Sequence, residues 1–291
     1  MPRTRCNSIG NFSTATLAVI VLSQAVTAVA QEPKELKVQG LEKNVELCNR
    51  VGDVAPELRI ASCSAVIEAS AQTTRSLAIA YNNRGNAYLK KGNLDGAIAE
   101  YDQSIKINPK YAKAIGNRAL AFEKKGEHAR AMADFNLAIR LDQKSPGAFA
   151  NRGEAYRKRK DYRRAANDYT AALRLEPTLS SVWNARCWVR AIMGQLKLAL
   201  SDCNEALRIA PNVAATYDSR GLVHLKMRQW KQAAADYGSA LQLDSALASS
   251  LYGRGLARLR VGDQQAGKAD MARATEIEAN IADVFADLRV R

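Results

Sequence analysis

The sequence predicts an all-α solenoid of antiparallel helix hairpins. An arginine returns every 34 residues, with no insertion or deletion between copies, at Arg84, Arg118, Arg152, Arg186, Arg220 and Arg254. Around the first copy, Tyr81, Gly85 and Tyr88 are spaced as on one face of a helix. Ala97 and Tyr101 are spaced in the same way on a second helix. Because a lone hairpin cannot bury both of its faces, hairpins of this kind stack into a solenoid with a long concave surface.

The composition is that of a folding chain with excess positive charge. Hydrophobic residues make up 47% and charged residues 25% of the 291 residues, which excludes a wholly disordered or collagen-like chain. A formal charge of +14 makes nucleic acid or an anionic surface a candidate partner.

The first thirty residues have the pattern of a secretory signal peptide. Arg3 and Arg5 precede an apolar stretch at 17–22, and small residues two apart, Ala28 and Ala30, come just before Gln31. The alternative, a membrane anchor, needs about 20 apolar residues, and this stretch is shorter. We therefore expect an exported protein with no stable membrane insertion, periplasmic in a Gram-negative cell and otherwise secreted. Loss of Arg3 and Arg5 lowers the formal charge from +14 to +12.

The mature chain retains four cysteines, which fall into two pairs along the sequence. Cys48 and Cys63 form one pair, and Cys187 and Cys203 form the other. Neither pair has the short spacing of a metal site, so no metal is expected. An even number of cysteines in an exported protein favours two disulfides, Cys48–Cys63 and Cys187–Cys203, with buried free thiols as the alternative.

The repeated units carry a fixed order of small and aromatic residues. The residue directly after the arginine is small in five of the six units, which lets two helices cross closely. These residues are Gly85, Ala119, Gly153, Gly221 and Gly255, and Cys187 stands at this position in the fourth unit. Gly92, Gly126, Gly194 and Gly262 are placed to end the first helix of a hairpin. Asn93, Glu127, Asp161 and Asp263 are placed to start the second.

This order resembles the tetratricopeptide repeat family, and residues 81–88 match its pattern closely. The resemblance covers 78–281 and implies a right-handed superhelical tetratricopeptide repeat solenoid. It divides the chain into a signal peptide, an N-terminal segment with a degenerate helical hairpin, six repeats and a C-terminal capping helix. In chain order these are 1–30, 31–77, 78–111, 112–145, 146–179, 180–213, 214–247, 248–281 and 282–291.

An acidic residue lies sixteen positions after each arginine of the series. This offset places the two side chains on the two helices of one hairpin, so the sequence predicts a ladder of structural ion pairs. The expected pairs are Arg84–Glu100, Arg118–Asp134, Arg152–Asp168, Arg186–Asp202, Arg220–Asp236 and Arg254–Asp270.

A row of asparagines is the candidate partner-binding groove. Asn83, Asn117 and Asn151 each precede an arginine of the series, and Asn82 and Asn86 lie beside the first of them. In the family the resemblance points to, the first helix of each hairpin lines the groove. An amide can both donate to and accept from an extended peptide backbone. The alternative is that these asparagines are solvated consensus residues.

The densest basic patch lies at the turn of the third repeat. It comprises Arg157, Lys158, Arg159, Lys160, Arg163 and Arg164. One interpretation is a solvated edge with cations at a helix end. The other is docking to an acidic protein face or to anionic envelope material. Export argues against nucleic acid as the partner.

No catalytic constellation and no cofactor motif is evident in the sequence. The only histidines, His128 and His224, are far apart, and no P-loop or dinucleotide fingerprint occurs. We therefore expect a non-catalytic scaffold in the cell envelope that binds a protein or peptide partner in its concave groove. The rival hypothesis is a basic binder of anionic lipid, lipopolysaccharide or cell-wall polymer.

Overall fold

The computed structural model describes residues 40–50, 52–69 and 73–288. The predicted signal peptide at 1–30 lies outside these residues. The described residues form fifteen helices and no strand, so the fold is all-α. The chain divides into two compact units, Met1–Pro109 and Lys110–Arg291, and each is described by itself.

The first unit contains four helices. Helix α1 covers 40–49, and α2 is Pro56–Glu68, α3 is Thr74–Lys90 and α4 is Leu94–Ile107. Helix α3 packs on both α2 and α4. The side chain of Thr73 caps α3 by accepting a hydrogen bond from Ser76 N.

The second unit contains five helix pairs and a short final helix. The pairs are α5 (Ala112–Lys125) with α6 (His128–Leu141), α7 (Pro146–Lys158) with α8 (Tyr162–Leu175), α9 (Ser180–Ile192) with α10 (Leu196–Ile209), α11 (Ala214–Lys226) with α12 (Trp230–Leu243), and α13 (Ala248–Arg260) with α14 (Gln264–Ile277). The final helix, α15, is Ile281–Asp287. The second helix of each pair packs on the first helix of the next pair, and successive first helices also touch.

A glycine against an aromatic ring lets the two helices of a pair approach closely. A Cβ atom at Gly153 would lie 2.9 Å from Cε1 of Tyr169, and one at Gly221 would lie 2.9 Å from Cδ1 of Tyr237. Both tyrosines are buried. Close packing at these crossings therefore depends on the missing glycine side chain.

Three of the four predicted polar helix starts cap their helices. Asn93 Oδ1 accepts from Gly96 N at 2.9 Å, and Asp161 and Asp263 act in the same way on α8 and α14. Glu127 makes no capping bond to α6. Its longer side chain instead pairs with Arg130.

Helix α15 covers the end of the last pair. Ile281 and Phe285 are buried, and the Phe285 ring lies 4.9 Å from the Tyr252 ring, centroid to centroid. These contacts give the exposed side of α13 an apolar cover, as a terminal repeat requires.

Candidate functional site

All six arginines of the series lie at ion-pair distance from the acid sixteen residues later. The closest N–O distances are 2.8 Å for Arg84–Glu100, 2.7 Å for Arg118–Asp134, 2.8 Å for Arg152–Asp168, 2.8 Å for Arg186–Asp202, 2.7 Å for Arg220–Asp236 and 2.7 Å for Arg254–Asp270. In each pair Nε and Nη2 donate to the two carboxylate oxygens. Nε and Nη2 of each of these arginines are therefore engaged within its own hairpin.

Both cysteine pairs lie at disulfide distance. The sulfur atoms of Cys48 and Cys63 are 2.07 Å apart, and this contact joins α1 to α2. Those of Cys187 and Cys203 are 1.98 Å apart and join α9 to α10. The second pair occupies the place that a glycine and an aromatic residue fill in other hairpins.

The asparagines of the first unit are engaged within that unit. Asn83 Nδ2 donates to Cys48 O and to Asn49 Oδ1. Asn82 is buried, and Asn86 Oδ1 accepts from the Tyr101 hydroxyl at 2.8 Å. Asn83 thus joins α3 to α1 and Asn86 joins α3 to α4, and binding of a partner by these asparagines stays a prediction. In the second unit, Asn117 and Asn151 are half-buried on α5 and α7.

The basic patch is partly neutralised by acidic neighbours. Arg157 pairs with Glu154 at 2.6 Å, and Arg159 pairs with Glu123 at 2.7 Å. The remaining members, Lys158, Lys160, Arg163 and Arg164, are exposed. Two of these have a nearby carboxylate, Asp287 at 3.8 Å from Lys160 Nζ and Asp161 at 3.4 Å from Arg164 Nη1. The patch is thus smaller than the sequence suggests.

A polar pocket of about 260 Å³ lies on the first helices of the second unit. Its lining comes from α7, α9 and α11, and comprises Glu154, Arg157, Ser181, Asn184, Ala185, Trp188, Ala215, Asp218 and Ser219. We call this surface the first-helix pocket. It contains one residue of the predicted basic patch, Arg157, and none of the predicted asparagines.

A buried acceptor without a donor and a buried carboxyl group distinguish this pocket. Asn184 Oδ1 is buried, and no donor reaches it within the described part of the chain. Asp218 Oδ1 accepts from the hydroxyls of Ser249 and Ser250 at 3.0 and 2.6 Å. Burial raises the pKa of Asp218, although these two hydrogen bonds act in the opposite direction. A buried acceptor such as Asn184 Oδ1 normally has a donor, so the pocket is suited to a ligand that brings an N–H group.

An ion pair and an indole ring form the opposite side of the pocket. Burial acts to raise the pKa of Glu154, but hydrogen bonds and charge from Arg157 hold it below the usual value. The Arg157 guanidinium lies 5.3 Å from the Trp188 ring centroid, and the Tyr169 hydroxyl donates to Glu154 Oε2 at 3.0 Å. These contacts fix the side chains in place before a ligand arrives.

Sequence reasoning did not identify Asn184, Asp218 or Trp188 as site residues. The usable signal is positional, because Asn184 and Asp218 each stand two residues before an arginine of the series. Asn82, one of the predicted groove residues, stands at this same place before Arg84, but the prediction was not extended to the later repeats.

The described residues show neither a metal cluster nor a membrane-spanning helix. Among 40–50, 52–69 and 73–288, no cluster of three or more histidine, cysteine, aspartate or glutamate side chains could hold a metal ion. Over the same residues, every helix is too short or too polar to cross a membrane.

Comparison with known proteins identifies the repeat. Residues 85–126 match the family model described as a TPR repeat, and residues 112–145 and 146–179 each match a model described as a tetratricopeptide repeat. No curated protein matches the sequence.

Solved structures share the fold at low sequence identity. PilF of Pseudomonas aeruginosa is 20% identical, with a TM-score of 0.65 over 74% of this chain and 100% of that chain. A tetratricopeptide repeat protein from Parabacteroides merdae is 18% identical, with a TM-score of 0.59 over 87% of this chain and 98% of that one. YrrB is 20% identical, with a TM-score of 0.53 over 64% of this chain and 96% of that one. Residues 85–179 are therefore tetratricopeptide repeats, and the described helices share the fold of solved tetratricopeptide repeat proteins.

Proposed function

We propose that this protein is a non-catalytic scaffold of the cell envelope that binds a segment of a partner protein at the first-helix pocket. The observation that carries the proposal is the buried, unpartnered Asn184 Oδ1 beside the desolvated carboxyl group of Asp218. An extended peptide or a basic side chain brings the N–H donor that Asn184 Oδ1 lacks. The solved structure of YrrB is described as having an unusual peptide-binding site, which is in keeping with this proposal.

The basic patch gives the partner a second requirement. Arg157 belongs to both the pocket and the patch, and the exposed Lys158 follows it directly in the chain. We propose a partner segment that places a donor in the pocket and acidic residues along this edge. Charge at the edge speeds association and selects partners more than it adds affinity.

The test uses the variant Asn184→Ala. Because the amide oxygen has no partner, its removal leaves the unfolding temperature unchanged or raises it. Partner recovery in pull-downs from the envelope of the source organism should fall about tenfold, the effect of one lost buried hydrogen bond. The matched control is Asn167→Ala on the exposed side of α8. Equal recovery by both variants would reject binding at the pocket.

Export is part of the proposal and has its own test. The predicted signal peptide at 1–30 and the two cysteine pairs at disulfide distance support it. Mass spectrometry of the exported fraction should show a mature chain that starts at Gln31 with four cysteines blocked against alkylation. A full-length chain with alkylatable thiols would refute export.

A second candidate function is binding of anionic lipid, lipopolysaccharide or cell-wall polymer. The exposed cations Lys158, Lys160 and Arg163 favour it. It predicts cosedimentation with anionic liposomes that is lost between low and physiological salt. No cosedimentation at low salt would remove this candidate.

A further inference from the structure

Three arginines of the series also reach back to the preceding helix pair. Arg152 Nη1 donates to Asn136 Oδ1 at 2.8 Å, Arg186 Nη1 to Thr170 Oγ1 at 2.9 Å, and Arg220 Nη1 to Asn204 Oδ1 at 2.9 Å. Each acceptor stands sixteen residues before its arginine. One guanidinium group thus donates hydrogen bonds to an acid in its own hairpin and to a polar side chain in the hairpin before it.

Arg254 breaks this pattern. Nε and Nη2 of Arg254 bind Asp270, but the residue sixteen positions earlier is Gly238, which has no side chain to accept from Nη1. Within 73–288, no acceptor for Arg254 Nη1 is found. A pocket of about 290 Å³ lies at this point, lined by Gly238, Leu241, Gln242, Ser245, Leu251, Arg254 and Arg273.

The charge around this pocket is positive. Asp270 is shared by Arg254 and Arg258, whose Nη1 lies 2.6 Å from its Oδ2. Arg273 donates to the backbone carbonyl of Ser245 at 3.3 Å and has no carboxylate within ion-pair distance among the described residues. No carboxylate lines the pocket. Two guanidinium groups therefore line a cavity that has no carboxylate in its own lining, and the single carboxylate bound to Arg254 is shared with Arg258.

The donors reach the pocket from three helical segments. Arg254 comes from α13, Arg273 from α14, and Gln242 and Ser245 from the end of α12 and the residues after it. A planar carboxylate is held best by two parallel donors of one guanidinium. A tetrahedral oxyanion accepts donors from several directions, which this arrangement supplies.

We propose that this pocket binds a phosphate group. The site shares no residue with the first-helix pocket and does not depend on it. Arg254 Nη1 and Arg273 bind the oxyanion, and Leu241 and Leu251 contact the group that carries it. We call this site the Arg254 pocket.

The test measures phosphate binding to the full mature protein by isothermal titration calorimetry in phosphate-free buffer. The wild type should bind inorganic phosphate at one saturable site. In Gly238→Asn, the new amide takes the place that Asn136 and Asn204 occupy in other hairpins and accepts from Arg254. A Cβ at Gly238 meets no atom within 4 Å, so the variant should fold. Its phosphate affinity should be at least about tenfold lower, the value of a charge-assisted hydrogen bond.

The matched control is Ala272→Asn. Ala272 is the exposed residue at the same place of the last helix pair, where no arginine follows sixteen residues later. It should bind phosphate as the wild type does, and thermal unfolding should show that both variants fold. Equal phosphate affinity in Gly238→Asn and wild type, no saturable binding, or acetate binding as tight as phosphate would overturn the proposal.

Vesicles distinguish the source of the phosphate. If phosphatidylglycerol vesicles retain the wild type but not Gly238→Asn, the phosphate group belongs to a lipid. If they retain the two proteins equally while calorimetry separates them, the bound group is a soluble phosphate.

Discussion

Three tyrosines occupy the same place in their hairpins but differ in their hydroxyl partners. The Tyr101 hydroxyl donates to Asn86, and the Tyr169 hydroxyl donates to Glu154. The acceptor stands fifteen residues before the tyrosine in both cases, and the residue fifteen before Tyr237 is a leucine. The Tyr237 hydroxyl is consequently buried without a partner.

Tyr237→Phe should therefore leave the free energy of unfolding unchanged or raise it by up to about 1 kcal/mol, because no hydrogen bond is lost. Tyr101→Phe should lower it by about 1 kcal/mol, since Asn86 loses its donor. Urea denaturation of both variants measures the difference. A loss of stability in Tyr237→Phe as large as that in Tyr101→Phe would contradict the assignment.

Because of Asp218, the free energy of unfolding should depend on pH. Its pKa is raised in the folded protein, mainly by burial. The folded state therefore holds this proton more tightly than the unfolded state, and ionisation of Asp218 destabilises the fold as the pH rises through the folded pKa. Asp218→Asn should raise the unfolding temperature at pH 7. The gain should shrink as the pH falls towards about 3.9, the ordinary pKa of aspartate. A pH-independent difference would show that charge is not the cause.

At the scale of elements, the turn inside each hairpin needs a left-handed residue. Gly92, Gly126, Gly194 and Gly262 have φ between 75° and 92° at this place. Lys160 and Arg228 fill it in two other hairpins, with φ of 59° and 60°. This conformation has a steric cost of about 1–2 kcal/mol for a residue that has a Cβ atom.

Lys160→Gly should raise the free energy of unfolding by about 1 kcal/mol, because glycine adopts this conformation without steric cost. The lost contact between Lys160 and Asp287 is exposed and contributes little. Thermal and urea unfolding measure the gain. The reverse change, Gly126→Lys, should lower stability by a similar amount. A stability loss in Lys160→Gly would refute this account of the turn.

Many of the turns and helix starts were predictable from the sequence because the repeat is regular. The arginine spacing, the glycine turns and the starts at Asn93, Asp161 and Asp263 follow from local rules that act in every hairpin. The first-helix pocket was not predictable in this way. Asn184 and Asp218 lie in different hairpins, and only packing shows that neither Asn184 Oδ1 nor the Tyr237 hydroxyl has a hydrogen-bond partner among the described residues.

At the scale of the whole molecule, net charge is a poor guide to the binding surface. The formal charge of +14 suggests a uniformly basic protein. Six arginines are nevertheless held by acids inside the hairpins, and Arg157 and Arg159 are paired as well. Such pairing leaves the net charge unchanged, so the candidate binding surfaces are defined by local contacts instead: the exposed cations at one turn, the first-helix pocket and the separate Arg254 pocket.

Site-specific photocrosslinking tests the central claim, that the first-helix pocket binds a partner, most directly. Ser181 lines the pocket, and Ser201 is an exposed serine on the second helix of the same pair. A photoreactive amino acid at either position, in cells of the source organism, reports which face touches another protein. We predict a discrete crosslinked partner from position 181 that is absent from position 201 and is lost in Asn184→Ala. No adduct from position 181, or the same adducts from both positions, would contradict the account.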